Sequence, residues 1–535
     1  MTILPHPVIS RRRFLSGSAA ALVTANALPP DVSAQGAKFR RWEITDPAMP
    51  PRVLASYKTG ISNMLDLPAT DPRNWYRNAF VHIFDCPHQN WWFLAWHRAY
   101  LGWLEVTLRD LSGDQEFALP YWDWTKTPRV PAAMFAGVLD PNNAGFIPSL
   151  DKFKTQFEGP VAALYETFSQ PQKDVLMQRG VGSSADFLAA ASGMFFAQPD
   201  ARGLTVMNPD VDTATRVAVS MATIRSALRT PTFAGSANGP DPAGFDSAKA
   251  ANHNESSREG ILESQPHDNV HGAMGGPGGA AFMVSFMSPV DPIFFLHHGN
   301  LDRLWDVWTR RQIALGRPAL PQGPDLTTWS GEQFLFFSDE KGQAVSKTKA
   351  VDYTTMNAFN YEYSPGSGED QVPAAGPVVA AASVATQVFK AQITSASIGA
   401  GKSAGGVVQV PATALQAPAA EASPGVAEIT LNLTPADQGR RFQVLVSSGS
   451  GVNPIEAGGI TVFSHHIHGP TTFAVPLPEI PSVTAAAAGN VPLDIRVLPI
   501  ERTANVSPAT AAIRAASGLR LGPEPQLSAI QVTTN

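Results

Sequence analysis

The 535-residue chain has a single cysteine, Cys86, so no disulfide can form within it. Basic residues do not dominate. Lys and Arg number 39 against 45 Asp and Glu, a formal charge of −6 that provides no field for a nucleic-acid partner. Outside the N-terminal segment, no apolar run is long enough to span a bilayer. What is plentiful is proline (46) and glycine (43), which point to many loops and short strands in a globular chain. The length allows two or three domains with sizeable cores.

The N-terminus reads as an address. Ser10-Arg11-Arg12-Arg13-Phe14-Leu15 precedes a short, weakly apolar stretch over 17–28, with small-residue cleavage sites after Ala27 or Ala34. This is the pattern of a twin-arginine export signal, and it predicts a periplasmic or secreted protein without a membrane span in its mature form. The expected division is a signal at 1–34, a helical domain at 35–365, a linker at 366–382 and an all-β sandwich at 383–535. Apolar residues recur at three- and four-residue intervals over 93–111 and 293–314, which predicts helices with a buried face. Beyond the Pro/Gly/Ala-rich linker, the segments 427–433, 441–447, 459–463 and 493–498 are short, alternating and β-favouring.

Twelve histidines are present, and seven fall in two helical regions. One set is His82, His88 and His97. The other is His267, His271 and His298, with His297 beside it. His267 and His271 are four residues apart, so on a helix both imidazoles reach one metal ion. Neither set has a cysteine or carboxylate at ligand spacing, which disfavours a structural zinc site, a carboxylate-rich di-iron bundle and a dinuclear hydrolase. All-imidazole coordination suits copper, nickel or zinc, and copper gains most by the affinity order. His253 stands alone on a polar loop and is expected at the surface. His466 and His468 would share one face of a strand.

His82, Cys86-Pro87-His88 and Phe93-Leu94-Ala95-Trp96-His97-Arg98 resemble the first copper motif of tyrosinases, catechol oxidases and molluscan-type haemocyanins. His267, His271 and the run Asp291-Pro292-Ile293-Phe294-Phe295-Leu296-His297-His298, with Asp302-Arg303, resemble the second. The resemblance implies a mainly α, loop-rich four-helix bundle around two copper ions, with dioxygen as co-substrate. It makes His298 the ligand of the His-His pair. Cys86 resembles the cysteine that forms a thioether to the ligand histidine, here His88. Glu263 resembles the carboxylate that polarises a water near the second copper. Asp268 falls where a residue orients that water or guides substrate. Ser285 lies near a substrate-gate position, with Phe282 or Phe286 able to fill the space.

Tyr361-Glu362-Tyr363 resembles the motif closing the catalytic domain of plant and fungal polyphenol oxidases, in which a β-sandwich then covers the copper entrance. The implied function is copper-dependent oxidation of small phenols by dioxygen: o-diphenols to o-quinones, with monophenol ortho-hydroxylation as a further option. The enzyme would stay latent until its C-terminal domain is displaced. A haemocyanin-like dioxygen carrier shares every ligand and is the alternative; an export signal and the lack of a repeated unit favour the enzyme.

Overall fold

The computed structural model describes residues 39–237, 241–255, 258–374, 386–415, 425–449, 452–463, 469–480, 489–500, 507–508 and 524–534. The expected signal segment, the second half of the expected linker, and His465, His466 and His468 lie outside the described residues. Among the described residues, no helix is long and apolar enough to cross a membrane.

The helical domain opens with α1 (Pro51–Asp66), α2 (Trp75–Asp85) and α3 (Phe93–Ser112). Proline at the first helical position starts α1, where its missing N–H costs nothing. Asn74 caps α2 by accepting from the N–H groups of Tyr76 and Arg77 at 3.0 and 3.3 Å. Gly113, at φ 74°, ends α3 in the left-handed conformation that a residue with Cβ resists. Five further helices follow: α4 (Leu150–Thr167), α5 (Gln170–Gln178), α6 (Ser184–Gly193), α7 (Thr213–Ala218) and α8 (Met221–Arg229). A π turn (Glu263–His267) runs directly into α9 (Asp268–Ala273), and α10 (Ile293–Ala314) and α11 (Pro324–Gly331) complete the set. Pro266 lies inside the π turn. It has no N–H for the helical ladder and crowds the preceding turn, so the ladder slips by one residue there. Most of α3 and α10 is buried on every side, as expected for helices at the centre of a domain.

Strand β1 (Phe39–Arg41) pairs in parallel with β2 (Tyr361–Tyr363), tying the start of the helical domain to its end. Arg41 anchors this seam. Its Nε donates to Glu105 at 2.8 Å, its NH1 reaches Asp302 at 3.3 Å, and its guanidinium lies 3.6 Å from the Tyr361 ring centre. Residues 366–374, expected as linker, instead pack on the helical domain: Ser367 N–H donates to Asp123 and its carbonyl accepts from Arg303.

The C-terminal strands form two sheets. One has the order β4 (Gln392–Ser395), β5 (Ala404–Pro411), β10 (Asn490–Pro499), β7 (Arg441–Ser447) and β8 (Ile455–Thr461). The other has the order β3 (Gln387–Lys390), β11 (Gln526–Thr534), β6 (Val426–Leu433) and β9 (Gly469–Pro476). Alternate residues such as Leu493, Ile495 and Val497 point into a core shared with Ile429, Leu431, Val444 and Val532, giving the expected sandwich. Val426, Phe463 and Ala474 do not belong to that core. They pack into the helical core instead, and Phe463 goes furthest.

Candidate metal centre

Four helical segments deliver the histidines. His82 lies near the end of α2, His97 one turn into α3, His267 and His271 across the π turn and α9, and His297 and His298 early in α10. His88 comes from the loop between α2 and α3. All seven are buried. The ligand atoms of His82, Cys86, His88 and His97 lie within 4.8 Å of one another, as do those of His267, His271, His297 and His298. The two sets meet: the rings of His97 and His298 stack with centres 4.2 Å apart, and His88 stacks on His267 at 5.4 Å.

Burial, reinforced by neighbouring imidazoles, holds the rings neutral. It lowers His97 and His271 to about 3 and depresses His82, His88, His267 and His298 as well. Backbone carbonyls, which can only accept, fix three tautomers with the proton on Nδ1: Phe286 for His82 (3.0 Å), Phe93 for His97 (2.7 Å) and Met283 for His271 (2.6 Å). Asp268 Oδ1 does the same for His267 at 2.7 Å. Each of these rings therefore presents the lone pair of Nε2, the arrangement that metal-ligating imidazoles show. His267 Nε2 has no hydrogen-bond partner, and His271 Nε2 faces His298 Nε2 at 3.3 Å. A buried orphan nitrogen and converging lone pairs are what a cation would satisfy, so the residues fit two metal ions.

His297 is turned the other way. Its Nδ1 accepts from Trp124 Nε1 at 3.2 Å, which puts the proton of the neutral ring on Nε2. Of the two, His298 is the better suited to a metal on chemical grounds.

Cys86 and the carboxylates stand closer to the clusters than their sequence spacing suggested. Cys86 Sγ is 3.6 Å from both ring nitrogens of His88, on the bisector that carries Cε1, and 3.4 Å from His97 Nε2. Glu263 and Asp268 form a third group with His267. Glu263 Oε1 accepts from Gln89 N–H at 2.8 Å, and its Oε2 is held by Ser247 Oγ. Burial raises Glu263 to about 8 and pushes Glu259 and Asp268 up as well.

Three expectations require correction. Phe282 stacks edge-on against Phe195 and Phe196 at 5.6 and 5.8 Å, pointing away from the histidines. Ser285 Oγ is tied back to the Phe282 and Met194 carbonyls at 3.0 and 3.2 Å, so neither residue gates the site. Phe286 is the residue of this stretch that faces the histidines, 5.9 Å from His82 and 5.7 Å from His88. His253 is buried rather than exposed, between Asp85 (2.9 Å) and Glu332. Burial alone would lower its pKa, but the two carboxylates raise it to about 9.

Sequence reasoning missed Phe463 as part of the site. Its ring, contributed by the β-domain, stacks on His271 at 4.3 Å and meets Phe286 and His88 edge-on or tilted at 5.1 Å. No local pattern marks it out; it is one aromatic residue just beyond a strand.

Residues 66–311 match the common central domain of tyrosinase. The helical domain belongs to the tyrosinase family. The chain is 26% identical over 332 residues to a latent chloroplastic polyphenol oxidase of Prunus armeniaca, covering 59% of the chain and 47% of that protein. It is 29% identical over 315 residues to the (+)-larreatricin hydroxylase of Larrea tridentata, covering 55% and 44%. It is 26% identical over 349 residues to the tyrosinase HcTyr1 of Hahella sp. (strain CCB-MM4), covering 58% and 60%. The matches span about half the length of the curated plant relatives. A latent aurone synthase shares the fold with a TM-score of 0.55 at 18% identity, covering 94% of this chain and 90% of that one. A latent apple tyrosinase does so at 0.53 and 18%, covering 94% and 98%. Proteins of the tyrosinase family bind copper, and the two histidine clusters fit a binuclear copper site.

Proposed function

We propose that this chain is a copper-dependent phenol oxidase that converts o-diphenols and dioxygen to o-quinones and water, and that it is latent in the form described above. The observation that carries the reading is Phe463, an aromatic ring lying flat on His271 between His88 and Phe286. A site that accommodates a buried phenyl ring is shaped for a phenol, and the ring must leave before a phenol can enter. His82, His88 and His97 would hold one copper ion, and His267, His271 and His298 the other. Bound copper would supply the dioxygen-binding site and accept electrons from the substrate. The chain's own residues do the rest. Carbonyls and Asp268 orient the imidazoles. Phe286 provides an apolar wall. Glu263 in its ionised form, acting through a water, takes the phenolic proton. The same base would serve ortho-hydroxylation of a monophenol.

The test is to load the full chain with copper and assay a monophenol and its o-diphenol under oxygen, before and after cleavage in the 375–385 segment. Diphenol turnover that rises on cleavage supports the proposal. Reversible oxygen binding without turnover of either substrate would make the protein a carrier.

Cys86 and His88 would be joined by a thioether, the Sγ–H and Cε1–H hydrogens leaving as two protons and two electrons to dioxygen. Intact mass should then be lower by two hydrogens in copper-loaded protein, and a Cys86 that remains alkylatable sinks the bond. Export by the twin-arginine route is proposed from Arg11 and Arg12. Replacing both with lysine should leave the protein in the cytoplasm, and undiminished export would refute the assignment.

A further inference from the structure

Gln89 is buried and holds a backbone φ of 62°. Asn360 is the other described non-glycine residue in that region. A side chain with Cβ resists the left-handed conformation by about 1–2 kcal/mol, so the surroundings must enforce it. What the turn achieves is visible in its hydrogen bonds. The Gln89 N–H donates to Glu263 Oε1 at 2.8 Å, and its side-chain Nε2 donates to Glu259 Oε1 at 2.7 Å. Both acceptors belong to the segment that carries His267. Glu259 lies just ahead of the π turn, Glu263 opens it, and Asp268, which accepts from His267 Nδ1, follows it. The contacts therefore tie the residue bonded to His88, in the first histidine set, to the segment that carries His267 in the second.

We propose that Gln89 is a positioning residue that fixes the spacing of the two histidine sets, by holding the backbone beside His88 against the carboxylates behind His267. The proposal rests on the copper reading of the site. The loop between α2 and α3 has no regular structure of its own, so its place relative to α9 depends on ties of this kind. A cross-tie of fixed length is what two ions bound side by side require, since each imidazole must meet its ion at a set distance.

Three variants of the full chain test this. Q89A deletes the amide to Glu259 and keeps the N–H to Glu263. Q89G does the same while removing the resistance to positive φ, which guards against misfolding. E259Q keeps an acceptor for Gln89 Nε2 in place of the carboxyl group. Copper affinity is measured by competitive equilibrium dialysis, and the melting temperature is measured without metal. Q89A and Q89G should bind the weaker of the two coppers about 10- to 100-fold less tightly. Metal-free Q89G should melt as the wild type does, and E259Q should keep wild-type affinity. Three results would overturn the proposal: unchanged affinity for both ions in Q89A and Q89G, a loss matched in both variants by a fall in metal-free melting temperature, or an equal loss in E259Q. If the wild type binds two coppers yet oxidises no phenol, the oxidase reading fails while this comparison stands.

Discussion

His297 and His298 are adjacent, equally buried and both within reach of His271. What separates them is the direction of one hydrogen bond, from Trp124 to His297 Nδ1. His298→Ala should therefore leave one tightly held copper per chain where the wild type holds two, and His297→Ala should retain both. Metal analysis after dialysis decides this, and equal losses would contradict it. His253 shows how a residue escapes sequence reading. Its neighbours Asn252 and Asn254 suggest a wet loop, whereas its carboxylate partners lie 168 and 79 residues away along the chain. Its folded pKa of about 9 lies above the ordinary 6.5. A raised pKa contributes stability that is complete below the ordinary value and is lost as pH rises through the folded one. Wild-type unfolding stability should thus decline by up to about 3 kcal/mol more than that of His253→Gln between pH 6.5 and 9. Parallel urea-midpoint profiles would contradict it.

At the scale of elements, apolar periodicity located α3 and α10 because each buries a continuous row of side chains. The π turn could not be read in the same way. Pro266 inside a helical pattern signals a break, and whether the chain breaks or slips depends on what it packs against. That partner is the β-domain. Gln265 Nε2 donates to the carbonyls of Gly459 and Ala474 at 3.1 and 3.0 Å, and Asn269 Nδ2 donates to Gly459 at 3.1 Å. Gly458 and Gly459 lack the Cβ atoms that would overlap Gln265 Oε1 and Asn269 Oδ1, while Gly272 makes room for Thr461 and Arg441. One helix face thus registers β8 so that Phe463 reaches the histidines. Gly459→Ala should disturb this seat by about 1–3 kcal/mol, shifting the closed-to-open balance about 5- to 150-fold. Diphenol oxidation by the intact chain should rise toward that of the cleaved chain, whose own rate stays unchanged. An intact-to-cleaved ratio equal to the wild type's would contradict this.

For the whole molecule, the division into a helical domain and a sandwich was legible because composition and periodicity change between them. The two histidine clusters were legible because they sit in or beside long motifs around His97 and His298. The covering of the site was an expectation from resemblance, and its agent was not legible: Phe463 and His271 are brought together by two folded domains docking, and no local pattern records that. The amides and charges of the seam, Gln265, Asn269 and the Arg441–Asp212 pair at 2.6 Å, are groups that water can satisfy after release, which suits an interface meant to open. On the proposed function, one ring holds a phenol oxidase shut. The decisive assay is copper-loaded Phe463→Ala, uncleaved, on an o-diphenol under oxygen. Its turnover should approach that of the cleaved wild type. An uncleaved variant that stays silent while the cleaved wild type turns over would contradict it.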